Sequence, residues 1–263
     1  MSGAVNAVLT NADYLVLLLF RVGGLVFASP VFGRKNIPQR AKIGLVAIIS
    51  YLFFTIFPQQ TAIEYGTLIG YLLVCAGELF LGIALAFVTN IFFSLTYVAG
   101  QLIDMQIGFG IVNVFDPQNN TQIPMMGNFL NIILLIVFFG ANGHLRLIEI
   151  IYLTIEKMPV GALTFTPAVA LAAVEVFVMT FALGVMVAMP VIASGLILEI
   201  AFGMLIRTVP QMNMFVVGMP LKVLVGFVVV LLTLPVFINF SDRIFSEMFI
   251  GIEKLFSAFG VVS

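Results

Sequence analysis

The feature that most constrains the fold of this chain is the length of its apolar runs. The stretch from residue 66 to residue 112 has few polar breaks. As one helix it would be about 70 Å long at roughly 1.5 Å per residue, against a hydrocarbon core of about 30 Å. The stretch therefore either turns back, near Asn90, or extends beyond a normal bilayer. Hydropathy alone does not decide between these two arrangements.

Composition identifies the chain as an integral membrane protein. Hydrophobic residues make up 62% of the 263 residues, charged residues only 9%, and the mean hydropathy is +1.21. A soluble domain needs far more charge on its surface. The formal net charge of −1 gives no basic balance of the kind that indicates nucleic acid. We therefore predict an all-α membrane protein whose single domain covers residues 1–263.

Hydropathy divides the chain into about six hydrophobic segments, several of them broken, kinked or overlong. The segment 167–206 exceeds one span and is expected to break at Pro190. Apolar residues at i, i+4 and i+8 predict an amphipathic helix over 244–256. Irregular backbone at membrane depth must be covered by protein or by a water-filled cavity. Such segments are therefore expected either in a subunit of a larger assembly or in a solitary protein with kinked helices.

Positive charge predicts the orientation of the chain in the membrane. The densest cluster, in "GRKNIPQRAK", holds Arg34, Lys35, Arg40 and Lys42. By the positive-inside rule this loop faces the cytoplasm, which places the N-terminus outside. The N-terminus lacks a basic region before its first apolar run, so we expect that segment to remain in the mature protein.

The sequence holds no catalytic, cofactor or metal motif. Its one histidine, His144, has no second histidine or cysteine near it in sequence. We therefore expect no enzymatic activity, no cofactor and no metal. A few charged residues nevertheless lie within apolar runs, where charge is costly and is usually paired or faces water. These residues are Arg21, Glu78, Asp104, Glu175 and Glu199.

Two interpretations of these charges within apolar runs stay open. The first is structural pairing between helices or between subunits, which the scattered positions favour. The second is a secondary transporter of a small solute or ion that uses Glu78, Glu175 or Glu199 as intramembrane carboxylates.

Four segments in order resemble the FliR family of flagellar biosynthetic proteins, which includes the T component of virulence type III secretion. The strongest is "GLILEIAFGMLIRTVPQMNMFVVGMPLK", which begins at Gly195. "FRVGGLVFASPVFGRKNIPQRAKIGL" looks like the start of the family, and "GELFLGIALAF" and "AGQLIDMQIGFGIVNVFDP" are similar to its middle. The resemblance covers nearly the whole chain. Its flagellar assignment rests mainly on the "FDP" loop.

This resemblance implies a non-enzymatic channel subunit of the flagellar type III export gate. In that family one copy joins several FliP- and FliQ-type subunits in a helical pore for unfolded polypeptides. The pore works with FlhA- and FlhB-type proteins in the bacterial inner membrane, at the flagellar basal body. We accordingly expect membrane lipid and these proteins as partners, and no nucleic acid.

The resemblance also implies roles for particular residues. The middle loop of the family acts as a plug in the closed channel, and here it matches Gly108, Phe109, Gly110, Phe115, Asp116, Pro117, Gln118, Asn119 and Asn120. We expect structural or intersubunit roles for Arg21, Glu78, Asp104, Gln106, Glu199, Arg207, Pro210, Asn213 and Lys222. The residues themselves leave two interpretations open for Met204, Met212 and Met214, since methionine is flexible and seals irregular gaps. Packing against lipid or core is favoured, and a soft gasket around a pore is the alternative.

Overall fold

The computed structural model describes residues 12–57, 67–109, 124–161, 163–164, 166–209 and 214–261. It confirms an all-α membrane protein, with seven helices and one short pair of strands in the part described. The helices are α1 (Ala12–Ala28), α2 (Gln39–Ile56), α3 (Leu68–Ile107), α4 (Met125–Gly140), α5 (Gly143–Lys157), α6 (Ala168–Thr208) and α7 (Met214–Ser257). The strands are β1 (Leu163–Thr164) and β2 (Gly260–Val261).

Three of these helices are far longer than one membrane crossing requires. Helix α3 has 40 residues, α6 has 41 and α7 has 44, whereas a membrane helix needs about 20. Four of the described helices, α2, α3, α6 and α7, are long and apolar enough to cross a membrane. The number rises to five spans if α4 and α5, which meet at a bend of 67°, are taken together.

The first overlong segment does not turn back, because α3 passes through Asn90 without a break. The side-chain amide of Asn90 donates to the carbonyl of Ala86 in its own helix at 3.0 Å, and also to the carbonyl of Ala28. These bonds satisfy the amide, so the polar residue does not interrupt the helix.

The prediction of a break at Pro190 is wrong, since α6 is continuous through that residue. A proline removes one helical hydrogen bond, here to the carbonyl of Met186, and the turns on both sides keep theirs. Helix α7 likewise contains Pro220 and Pro235, and it joins the last apolar run to the amphipathic tail.

The chain divides into two compact units. Unit 1 comprises Met1–Ile91, Ala141–Val176 and Glu247–Ser263, and unit 2 comprises Phe92–Gly140 and Phe177–Ser246. Each unit combines separate stretches of the chain, and the single-domain organisation stays a prediction.

Close contact between α1 and α3 in unit 1 depends on two glycines. A Cβ atom at Gly82 would overlap the carbonyl oxygen of Arg21, and one at Gly24 would lie 2.6 Å from the carbonyl oxygen of Leu79. Small residues let two helix backbones approach each other in this way. The positions of α1 and α3 are therefore set by direct contact between their backbones.

The amphipathic tail predicted from the sequence is confirmed in α7. Its apolar stripe is buried: Ile244, Phe245, Met248, Phe249, Ile252, Leu255 and Phe256. In unit 1 the guanidinium of Arg146 lies 4.7 Å from the centre of the Phe249 ring, and the ammonium of Lys157 lies 5.5 Å from that of Phe256. Two cation–π contacts from α5 thus lie along this tail.

The sequence pattern does not predict the paired strands β1 and β2. Leu163 pairs with Val261 and Thr164 with Gly260, in antiparallel register. Each strand has two residues, which is too short for the alternation that identifies strands in a sequence.

We expect Gly82→Ala to destabilise the protein by about 1–3 kcal/mol, because its new Cβ meets backbone that cannot move aside. The control is Gly44→Ala in α2, where a Cβ meets no atom within 4 Å. That control is expected to be neutral or to stabilise by up to about 1 kcal/mol, since alanine favours a helix over glycine. Thermal unfolding of the detergent-solubilised chain measures both, and equal shifts would contradict the glycine crossing.

Candidate functional site

The candidate site lies in unit 2, where α3 ends and the predicted plug stretch begins. Gly108 follows the helix with a φ of 101°, a conformation that glycine adopts readily and other residues avoid. Its N–H donates to the carbonyl of Asp104 at 3.1 Å. Gly108 therefore terminates α3, as glycines commonly do at the C-terminal ends of helices.

The chain segments on either side of residues 110–123 are tied to each other. Oδ1 of Asp104 accepts the backbone N–H of Met126 at 3.3 Å, in the first turn of α4, where free N–H groups favour a carboxylate. One turn earlier in α3, a Cβ at Gly100 would overlap the backbone of Gly127. Asp104 is thus a link between α3 and α4 at the base of the predicted plug.

Residues near the end of α3 also contact α6 and α7. The Gln106 side chain occupies the space that a Cβ at Gly195 would need, and Ile107 does the same at Gly226. The ring centre of Phe109 lies 5.8 Å from that of Phe227 in a T-shaped arrangement. Predicted residues 104, 106, 108 and 109 therefore come together.

The sequence pattern does not identify Gly195, Gly226 and Phe227 as parts of this site. The signal for them was weak. Gly195 opens the segment that carries the strongest family resemblance, but glycine spacing does not say which helix approaches a given glycine.

Other predicted residues lie outside the described part of the chain. These are Gly110, Phe115, Asp116, Pro117, Gln118, Asn119, Asn120, Pro210, Met212 and Asn213. Met214 begins α7, and Met204 lies on α6 with 62% of its surface exposed. The plug and the gasket therefore stay predictions.

A second cluster, in unit 1, holds the most deeply buried charges of the described residues. The Arg21 guanidinium and the Glu78 carboxylate form a bidentate ion pair. Nη2 of Arg21 donates to Oε1 of Glu78 at 3.0 Å, and Nε donates to Oε2. Nη1 of Arg21 donates to the carbonyls of Thr154 at 3.2 Å and Met158 at 3.1 Å. Oε1 of Glu78 also accepts the N–H of Gly161 at 2.8 Å. The pair thus joins α1, α3 and α5.

The carboxylates that a transporter could use are all paired within the chain. Besides Glu78, Glu175 bonds Lys254 at 3.1 Å and Glu199 bonds Lys222 at 2.6 Å. Among the described residues, no three His, Cys, Asp or Glu side chains gather closely enough to hold a metal ion. Each of the three carboxylates therefore has its own basic partner within the chain.

The end of α6 is exposed on every side of the helix. Residues 203–209 are all exposed, including the apolar side chains of Met204 at 62% and Ile206 at 47%. Arg207 is in the same stretch. Apolar surface on all faces of a helix is typical of a segment that another molecule or lipid covers.

The chain matches known proteins over most of its length. Residues 13–248 match the family model described as bacterial export proteins, family 1. The chain is 28% identical to the flagellar biosynthetic protein FliR of Bacillus subtilis (strain 168), over 97% of this chain and 99% of that protein. It is 29% identical to FliR of Escherichia coli (strain K12), over 88% of each chain. With FliR of Pectobacterium carotovorum the identity is 31%, over 87% of each chain.

Removal of one partner of the buried ion pair should lower the stability of the protein strongly. We expect Glu78→Ala to destabilise the protein by about 3–5 kcal/mol, because it leaves a buried guanidinium unpaired. The control Glu175→Ala removes an exposed pair and should change stability by about 0–1 kcal/mol. Thermal unfolding in detergent compares the two variants. An Arg21→Met/Glu78→Leu variant should be more stable than Glu78→Ala, because it leaves neither charge buried in the protein.

Proposed function

We propose, from the premise that this chain belongs to the bacterial export proteins, family 1, that it is a non-enzymatic channel subunit of a flagellar protein export gate. The observation that carries the proposal is the match over residues 13–248, together with the similarity to FliR proteins over nearly their whole length. In this proposal the chain is in the bacterial inner membrane, at the flagellar basal body.

The proposed partners are FliP- and FliQ-type subunits, with one copy of this chain in the pore and FlhA- and FlhB-type proteins beside it. The exposed end of α6 supports an assembly of this kind. Its apolar surface surrounds the helix, and Arg207 forms no salt bridge with the described residues. A partner subunit that covers the helix end and offers a carboxylate would satisfy both features.

We further propose that residues 108–120 act as a plug for the pore. The residues before and after this stretch support a fixed base, since Asp104 holds α3 to the first turn of α4. Residues 100–124 include no lysine or arginine that would fix the stretch to acidic partners. A pore for unfolded polypeptides needs a seal that yields, and aromatic, glycine and asparagine residues suit that task.

The alternative, a transporter of a small solute or ion, is separated from this proposal by reconstitution. A transporter would move solute when the purified chain alone is placed in liposomes. A channel subunit would show no flux by itself. The pairing of Glu78, Glu175 and Glu199 within the chain favours the second outcome.

Co-expression tests the proposed assembly. The tagged chain should co-purify with FliP- and FliQ-type proteins, and Arg207→Ala should reduce the yield of the complex strongly. A charge that loses its partner at an interface typically weakens binding by about 2–5 kcal/mol. Arg243→Ala, at an exposed arginine on α7, is the control and should leave the yield unchanged. Failure of the unmodified chain to co-purify would reject the assembly.

Deletion of residues 110–120 tests the proposed plug. In the assembled complex this deletion should let ions and small dyes through the membrane, because the aromatic seal is gone. Permeability is measured in vesicles with matched amounts of complex. Permeability equal to that of the unmodified complex would reject the plug while leaving the assembly proposal intact.

A further inference from the structure

The last turn of α3 lies in two notches formed by glycines of unit 2. At Gly195 of α6, a Cβ would lie 2.5 Å from Cγ and 2.7 Å from Cδ of Gln106. At Gly226 of α7, a Cβ would lie 2.6 Å from Cγ1 and 3.1 Å from Cδ1 of Ile107. These distances are shorter than van der Waals contacts, so a larger residue at either position requires the side chain of Gln106 or Ile107 to move.

Packing is what requires glycine at these two positions. Both glycines lie inside helices, where glycine is less favourable than alanine, and neither has a positive φ. Gly203 provides the contrast, since it lies on α6 two turns after Gly195 and a Cβ there meets no atom within 4 Å. The notches therefore fit the side chains of Gln106 and Ile107 specifically.

The fit at Gly195 leaves one polar group unsatisfied. Nε2 of Gln106 is buried and has no hydrogen-bond partner in the described part of the chain. A buried donor without an acceptor destabilises the state that contains it. An apolar side chain of similar length would fill the notch without this penalty. The seated position of α3 is thus held by shape and is less stable than it could be.

A half-open apolar pocket in unit 2 borders the turn of α3 that precedes Ile107. It has a volume of about 150 Å³ and an almost entirely apolar lining. Its walls include Ile103, one turn before Ile107, with Pro190 of α6 and Val230 of α7. Protein interiors are usually close-packed and resist movement. The turn before Ile107 is therefore not close-packed on every side.

We propose that Gly195 and Gly226 are positioning residues that seat the last turn of α3, and that this seating holds the pore in its resting, sealed form. The Gln106 side chain acts as a releasable catch: it packs against Gly195 and holds the last turn of α3, and its unsatisfied amide weakens this contact enough for the turn to leave. The inference rests on the proposed function, because a resting form has meaning only for a pore. Beyond that function, contacts among α3, α6 and α7 control the resting, sealed form of the pore.

The test places single substitutions in the co-expressed complex and measures leakage of a small dye from vesicles. Gly195→Ala and Gly226→Ala should each raise leakage about tenfold or more, the shift in population that overpacking of this size produces. Gly44→Ala in α2, where a Cβ meets no atom within 4 Å, should leave leakage unchanged. Equal leakage in all three variants, at matched yields of complex, would overturn the inference.

A second substitution distinguishes a specific clash between the methyl group added at Gly195 and the Gln106 side chain from a general destabilisation of the complex. Gln106→Ala removes the atoms that a Cβ at Gly195 would strike, so Gly195→Ala/Gln106→Ala should leak less than Gly195→Ala alone. Absence of this rescue would count against the notch. If deletion of residues 110–120 leaks while neither glycine variant does, the proposed plug stands and this inference fails. If the deletion does not leak, the plug itself fails.

Gln106→Met provides a test that removes the unsatisfied amide and keeps an unbranched side chain. Methionine has nearly the same length and no unsatisfied amide, so the turn should be held more tightly. We expect normal assembly, no leakage and reduced export of substrate. Export equal to that of the unmodified complex would contradict the role of Gln106 as a releasable catch.

Discussion

The buried ion pair between Arg21 and Glu78 is the interaction on which unit 1 depends. An unpaired charge is costly in a protein interior or a membrane, so each group requires the other and the surrounding carbonyl and amide groups. The pair is fully buried. Arg21 also donates to the carbonyls of Thr154 and Met158, and Glu78 also accepts the N–H of Gly161. Helices α1, α3 and α5 must therefore come together for any of these charges to be satisfied, and this requirement specifies their arrangement.

Unit 2 is organised mainly by close packing at glycines. Gly100 and Gly127 bring the backbones of α3 and α4 together, and two further glycines receive the last turn of α3. Charged groups contribute through the carboxylate of Asp104, which accepts an N–H from α4, and through the exposed Glu199–Lys222 pair. The contacts at the glycines fix positions by shape and involve no charged group. That property suits the part of a pore from which the proposed plug extends.

Hydropathy and periodicity predicted the membrane class, the overlong segments and the buried stripe of α7, because these depend on local sequence. They could not decide the course of α3 through Asn90, whose amide is satisfied partly by the distant carbonyl of Ala28. The partner of Arg21 lies 57 residues away, and no spacing rule connects such positions. The two-residue strands were too short for any pattern. The role of the loop as a plug rested on family resemblance, and the suggested role of the methionines rested on their flexibility alone.

The central claim, that this chain is a subunit of a pore, is tested most directly by imaging the complex purified after co-expression with FliP- and FliQ-type proteins. The account predicts one copy of this chain among several partner copies, a partner subunit against the exposed end of α6, and residues 108–120 across the channel. A chain with the end of α6 facing only lipid and residues 108–120 on the outer surface would contradict it.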